Sequence, residues 1–152
     1  MYDEWRDADH EGSSLVGGLA GLVRHGVCLD TEWPLYDPNV RPDAAALKAA
    51  LTNRPAAVLR VDKRIEHLRA AVFEDHAVVA AAELHDGWRE PLRGVIQFSA
   101  KRRGKAATQG SHAFALLGYT AEGFIVQNSW GMNWGGVELR DHHLPGTAIW
   151  TY

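Results

Sequence analysis

The sequence predicts an α+β fold, in which a helical first third is followed by strands that form an antiparallel sheet or a partial barrel. Two observations carry this prediction. Apolar residues recur at helical spacing between residues 14 and 25 and again between residues 65 and 73. The second half of the chain then contains a series of short strand-like runs: 77–84, 94–98, 112–119, 124–128, 137–140 and 148–151.

The first predicted helix spans residues 14–25 and ends at Gly26. Its apolar residues are Leu15, Leu19, Leu22 and Val23. Glycines in a helix cost about 1 kcal/mol each relative to alanine, so their presence indicates that another element packs closely against this helix. The glycines are Gly17, Gly18 and Gly21.

The elements that follow are predicted from caps, prolines and apolar periodicity. Residues 32–38 form a loop that two prolines restrict. Asp43 caps a short helix over residues 44–51, and residues 56–61 form a strand. Asp62 caps a third helix with four apolar residues on one face: Ile65, Leu68, Val72 and Phe73.

Length, charge and cysteine content limit the possible functions. The 152 residues predict a single domain over residues 1–152, with a core that needs no disulfide framework. A net charge of −3 argues against a nucleic-acid partner, and the basic run at residues 101–105 is predicted to be a solvated loop. A single cysteine favours a reducing compartment. Without a signal peptide or an apolar run of about 20 residues, we expect a cytoplasmic protein with no membrane partner.

A predicted β-hairpin brings a histidine and an asparagine together. His112 opens the strand 112–119, residues 120–123 form the turn, and Asn128 closes the next strand. An imidazole beside a carboxamide is the base and the orienting group of a nucleophilic triad. Asn128 is expected to fix the tautomer of His112, and Trp130 to cover the contact and exclude water. A structural role is the alternative for His112, as ordinary core packing is for Trp130.

Several other histidines raise the question of a metal site. They are His76, His85, His142 and His143, with Asp141 beside the last pair. No HExxH or Cys/His spacing supports a metal site, and adjacent histidines on a strand point to opposite faces. We therefore predict that these side chains are solvated and that the protein has no metal and no cofactor.

The sequences GSHAFALLGY (110–119) and GFIVQNSWGMNWGG (123–136) resemble the His and Asn segments of the papain-like, C1-type cysteine peptidases. Further similarity runs from about residue 3 to the C-terminus, and residues 25–34 especially resemble bacterial members. The resemblance implies a papain-like fold with a right-hand antiparallel β-barrel and a truncated helical left-hand portion.

The resemblance also implies roles for individual residues. His112 and Asn128 would be catalytic. Three residues would support them: Ser129, Trp130 and Trp134. Three others would line the substrate cleft: Gly12, Ser13 and Ser111.

Two departures from the family pattern affect the predicted activity. Family members place their nucleophile on an N-terminal helix, after a glutamine that helps to form the oxyanion hole, but nothing like Gln-x-x-x-Gly-x-Cys-Trp occurs here. Cys28 follows the end of a helix, a context that does not lower the pKa of a thiol, and is predicted to be a small buried hydrophobic residue. Residues 135–138 also lack the Gly-Tyr pair that is common in the family.

Three functional interpretations stay open. The chain is the base-bearing part of a cysteine peptidase or acyl-transfer enzyme, acting on a peptide or protein, with its nucleophile supplied by a second polypeptide or by a homodimer. Alternatively, it is a non-catalytic pseudopeptidase that binds peptides or regulates another protein. Thirdly, it is a shortened reading frame of a longer enzyme. His112, Asn128 and Trp130 favour the first and third, because a binding module needs no oriented imidazole. We expect the isolated chain to be inactive.

Overall fold

The computed structural model describes residues 14–33, 41–75, 77–98 and 110–152. The chain divides into two compact units, Met1–Arg60 and Val61–Tyr152. Most of the loop predicted at 32–38 and all of the basic run at 101–105 lie outside the described residues. The single domain over residues 1–152 stays a prediction.

Helix α1 (Leu15–His25) belongs to the first unit, begins one residue later than predicted and has the predicted end. Ser14 caps its N-terminus, because the Ser14 hydroxyl accepts a hydrogen bond of 3.0 Å from the backbone N–H of Gly17. Gly26 ends the helix with a φ of 75°. A Cβ at Gly26 would lie 1.8 Å from the carbonyl oxygen of Ala50, so only glycine fits where the chain passes the end of the next helix.

Helix α2 (Ala44–Ala50) confirms the predicted cap at Asp43. The Asp43 carboxylate accepts a hydrogen bond of 2.8 Å from the Ala46 N–H. The strand predicted at 56–61 is wrong, because these residues form no strand. An apolar run becomes a strand only where another strand pairs with it, and the sequence alone does not show such a neighbour.

Helix α3 (Ile65–Asp75) opens the second unit and differs from its prediction in two ways. Val72 is buried, but Phe73 is 74% exposed and Ile65 is 42% exposed, so the buried face is narrower than predicted. The helix also begins three residues after Asp62. The Asp62 carboxylate lies 3.5 Å from Nδ1 of His67 on the first turn, in an exposed contact.

Seven strands and one short 3₁₀ helix, Asp86–Trp88, complete the described secondary structure. The strands are β1 (Val78–Glu83), β2 (Val95–Ile96), β3 (Ser111–Tyr119), β4 (Gly123–Gln127), β5 (Val137–Leu139), β6 (His142–Leu144) and β7 (Thr147–Thr151). Strands β5 and β6 form a separate two-stranded sheet, and β6 was not predicted.

The main sheet has five strands in the order β1-β3-β4-β7-β2, and it is open. The predicted barrel is therefore not present among the described strands, since β1 and β2 are its two edges and do not pair with each other. The sheet is also not wholly antiparallel, because β2 runs parallel to β7. A sequence pattern predicts which runs are strands, but it does not predict which neighbours close a sheet.

The hydrophobic core lies within the second unit. Its buried residues come from α3, the main sheet and the segments beside it: Val72, Leu84, Trp88, Ile96, Phe114, Leu116, Phe124, Val126, Trp134 and Ala148. Alternate residues of a strand share one face of the sheet. His112 therefore lies on the same face of β3 as buried Phe114 and Leu116, at the end of the row.

None of the helices in the described ranges is long and apolar enough to cross a membrane.

Candidate active site

The pairing of β3 with β4 brings the predicted histidine and asparagine together. Ala115 pairs with Gln127 in antiparallel register. Continuing this register past the end of β4 places His112 opposite Trp130 and makes Asn128 the diagonal neighbour of His112, within reach of a long side chain. In the structure, Nε2 of His112 lies 2.7 Å from Oδ1 of Asn128, which is the predicted contact.

A second hydrogen bond identifies which atom is the donor and which is the acceptor in this contact. The backbone N–H of Ser129 donates to Oδ1 of Asn128 over 2.7 Å. A backbone N–H can only donate, so the atom that it contacts is the oxygen of the amide and not its nitrogen. The same oxygen contacts Nε2 of His112, which must therefore be protonated. In the neutral imidazole, Nδ1 then holds the lone pair and is the basic nitrogen.

The backbone and the burial of Asn128 fix its position. Its N–H donates to the carbonyl oxygen of Gly146 over 3.1 Å. The residue is only 9% exposed, and its side-chain nitrogen Nδ2 is buried without a hydrogen-bond partner among the described residues. Among the described residues, the side chain is therefore held by hydrogen bonds to Oδ1 alone.

Trp130 covers the histidine. The centroid of its ring lies 4.7 Å from that of His112, and the two ring planes are inclined by 31°. Trp130 is 42% exposed, so one face of the indole lies against the imidazole while much of the ring remains open to solvent. The contact between Trp130 and His112 is therefore present, and the exclusion of water from the His112–Asn128 hydrogen bond stays a prediction.

Trp134 connects this cover to the core. It is 6% exposed, and its ring makes an edge-to-face contact with Trp130 at 5.7 Å. Its indole N–H donates to the backbone carbonyl of Trp88 over 2.7 Å. The role of Trp88 was missed, because a main-chain acceptor 46 residues away leaves no signal in a sequence.

The other predicted site residues are less informative. Ser129 contributes its backbone N–H to Asn128, and its side chain is exposed. Ser111 is exposed at the start of β3, and its predicted contact with substrate stays a prediction. Gly12 and Ser13 lie outside the described residues. Cys28 is a half-buried free thiol in the first unit.

Within the described ranges, no group of three or more His, Cys, Asp or Glu side chains could hold a metal ion, and His76 lies outside those ranges. His143 instead pairs with Glu138, with 2.6 Å between Nδ1 and the carboxylate. Burial lowers the pKa of His85 below its usual value of 6.5, against the smaller raising effect of Asp86.

Known proteins support a relationship to one peptidase family. No family model matches the chain. A peptidase C1-like protein of Acanthamoeba polyphaga mimivirus is 27% identical over 150 residues, which cover 89% of this chain and 47% of that protein. Xylellain, a cysteine protease from Xylella fastidiosa, superposes with a TM-score of 0.76 at 24% identity, over 93% of this chain and 56% of its own. The chain spans about half the length of these relatives. It is related to the papain-like, C1-type cysteine peptidases.

Proposed function

We propose that this chain carries the proton-transfer half of a papain-like, thiol-dependent peptide hydrolase. One observation supports this proposal above the others. The His112 imidazole is hydrogen-bonded through Nε2 to Asn128 and covered by Trp130, so Nδ1 is left to accept a proton. A base that is oriented by a neighbouring acceptor is the arrangement that nucleophilic catalysis requires.

In the proposed mechanism, Nδ1 of His112 takes the proton of a cysteine thiol, and the thiolate attacks the carbonyl carbon of a peptide bond. The resulting imidazolium is stabilised by Asn128, which accepts the Nε2–H. Nδ1–H then protonates the departing amine as the C–N bond breaks, which leaves a thioester. Water attacks the thioester while Nδ1 accepts one of its protons, and release of the acid returns the thiol and imidazole pair.

The nucleophile and the oxyanion donor of this reaction are proposed to lie outside the 152 residues, on the same or another polypeptide. Cys28 is the single cysteine of the sequence, and it follows the C-terminal end of α1. A thiolate is stabilised at the N-terminus of a helix and not at its C-terminus, because the helix dipole places partial negative charge there. The partner that we propose is a segment that carries a cysteine, and the substrate is a peptide or protein.

The test joins this chain to the portion of xylellain that it does not match and measures hydrolysis of a fluorogenic peptide. We expect no hydrolysis by the 152 residues alone and thiol-dependent hydrolysis by the fusion. His112→Ala should lower the kcat of the fusion by about 10²- to 10⁴-fold, the usual contribution of a general base. His67→Ala, which removes an exposed histidine of α3, should leave kcat unchanged.

Cys28→Ser separates the possible nucleophiles. Activity in the isolated chain that this substitution abolishes would make Cys28 the nucleophile and contradict the proposal. A folded fusion that binds the peptide without cleaving it would favour the alternative function, a pseudopeptidase that binds peptides.

A further inference from the structure

We infer that the backbone carbonyl of Trp88 positions the catalytic imidazole, acting through Trp134 and Trp130 on His112. The catalytic importance of this positioning rests on the proposed function, whereas the observed contacts between the residues do not. Three successive contacts connect the two ends: a hydrogen bond of 2.7 Å, an edge-to-face ring contact at 5.7 Å and a tilted ring contact at 4.7 Å.

The first contact involves Trp88, which is held firmly in the hydrophobic core. Trp88 is 1% exposed, and its ring packs against Phe114 at 4.8 Å and against Trp150 at 5.6 Å. Its backbone N–H also donates to the carbonyl oxygen of His85 over 3.0 Å, which closes the 3₁₀ turn. The carbonyl that receives the Trp134 N–H is therefore held by both main chain and side chain. A buried hydrogen bond of this kind permits few alternative positions of the donor, because breaking it leaves two polar groups unpaired.

In the second contact, the Trp134 ring restrains the ring of Trp130, which is an exposed residue. Trp130 is 42% exposed and lies three residues after the end of β4, so burial alone does not fix its ring. The Trp134 ring meets it at 90°, the edge-to-face arrangement that aromatic pairs favour. The backbone N–H of Trp134 also donates to the carbonyl oxygen of Gly131 over 3.2 Å, which closes the turn between the two tryptophans.

The third contact protects the catalytic pair. Trp130 lies over His112, beside the hydrogen bond between Nε2–H and Asn128. Among the described residues, the Asn128 amide forms hydrogen bonds through Oδ1 and none through Nδ2. Displacing Trp130 would therefore admit water that competes for Nε2–H and for the amide. Losing the Trp134–Trp88 hydrogen bond should therefore raise the solvent exposure of the His112–Asn128 hydrogen bond.

The experiment measures how fast the Nε2–H proton of His112 exchanges with solvent, by NMR of the ¹⁵N-labelled 152-residue chain. Trp134→Phe keeps an aromatic ring but removes the N–H donor to Trp88 together with part of the indole volume. We expect this substitution to raise the exchange rate about fivefold or more, as the loss of one buried hydrogen bond predicts. Trp150→Phe is the matched control, because Trp150 also packs on Trp88 but lies outside the path to His112, and it should leave the rate unchanged.

A second variant tests the direction of the effect. Trp130→Phe should raise the exchange rate of His112 Nε2–H while the indole N–H of Trp134 stays protected, because the hydrogen bond to Trp88 precedes Trp130 in the path. If the Trp134→Phe variant does not fold, the Trp134→Met variant, which lacks the same N–H donor, is used in its place.

An unchanged His112 exchange rate in a folded Trp134 variant overturns the inference and leaves the proposed function intact. An equal rise with Trp150→Phe overturns it as well, since the effect would then reflect general loosening of the core. An unprotected Nε2–H in the wild-type chain would remove the His112–Asn128 pair itself and refute both proposals.

Discussion

Asn128 uses one side-chain oxygen atom for two hydrogen bonds. Oδ1 accepts from His112 and from the Ser129 N–H, both over 2.7 Å, whereas Nδ2 is buried without a partner among the described residues. Each hydrogen bond contributes about 0.5–1.5 kcal/mol, and a buried unpaired N–H costs about 1–3 kcal/mol. These terms nearly cancel, so the side chain adds little to stability. Its proposed contribution is the orientation of the imidazole.

Asn128→Ala should therefore separate orientation from stability. We expect the free energy of unfolding to change by less than about 1 kcal/mol, because the unpaired amide is removed together with the hydrogen bonds, and the donors of exposed Ser129 and half-buried His112 can bond to water instead. The protected Nε2–H signal of His112 should disappear from the NMR spectrum. Denaturant unfolding and NMR on the same sample measure both effects.

Leu116→Ala is the control on the adjacent strand, since Leu116 is 1% exposed. It should cost about 2–5 kcal/mol through the cavity that it leaves, while the His112 signal remains in the folded fraction. If Asn128→Ala lowers the free energy of unfolding as much as Leu116→Ala does, the main role of Asn128 is to stabilise the fold, and the prediction is contradicted.

At the scale of elements, the 3₁₀ helix Asp86–Trp88 is capped by a histidine side chain. Nδ1 of His85 accepts a hydrogen bond of 3.2 Å from the Gly87 N–H, and the ring packs edge-on against Phe98 at 5.3 Å. Protonation of Nδ1 would remove this acceptor. Burial lowers the pKa of His85, and the neighbouring Asp86 carboxylate opposes that shift.

Stability should therefore fall in mild acid. Well above pH 6.5, the ordinary pKa of His85, this side chain is unprotonated in both the folded and the unfolded chain, and its contribution to stability is complete. Below that pH the unfolded chain takes up a proton before the folded chain does, so the free energy of unfolding declines until the folded-state pKa is passed. His85→Asn keeps a capping acceptor that does not titrate. It should flatten this part of the pH profile in urea unfolding.

His142→Asn controls for the loss of a histidine, because His142 is exposed on β6. It should keep the wild-type pH profile. An equal flattening by both substitutions would exclude His85 as the source of the acid dependence.

Two glycines should respond in opposite directions to alanine. A Cβ at Gly87 would lie 2.1 Å from the carbonyl oxygen of Gln97, so main chain must move, and we expect a loss of about 1–3 kcal/mol. Gly18 on α1 has nothing within 4 Å of the same position, and Gly18→Ala should gain about 0.5–1 kcal/mol. Thermal unfolding of both variants tests the pair, and a destabilised Gly18→Ala would contradict the open surface of α1.

The sequence predicts structural features that depend on residues nearby in the chain. It does not predict contacts that depend on residues far away in the chain. Asp43 and Gly26 were placed correctly, because a cap depends on residues three or four positions away. The pairing of His112 with Asn128 was also predictable, since one short turn fixes the register of β3 and β4. The parallel pairing of β2 with β7 depends on residues more than 50 positions apart, and the Trp88 carbonyl has no side-chain signature at all.

At the scale of the whole molecule, the core and the site both belong to the unit Val61–Tyr152. Every residue of the hydrophobic cluster falls within it, as do His112, Asn128 and the tryptophans that cover them. In the first unit, by contrast, the buried hydrophobic residues among those described are two alanines, Ala46 and Ala50. Alanine buries little apolar area, so these contribute little to the hydrophobic driving force.

This division predicts that residues 61–152 fold without residues 1–60. The fragment should unfold cooperatively in urea and keep the protected Nε2–H of His112, because each group that holds the imidazole is retained. The fragment 1–60 should show no cooperative transition. Circular dichroism and NMR on the two fragments, with the full chain as reference, measure both outcomes. A disordered 61–152 fragment would mean that the imidazole depends on the first unit for its position, and the proton-transfer half of the proposed enzyme would then require the whole chain.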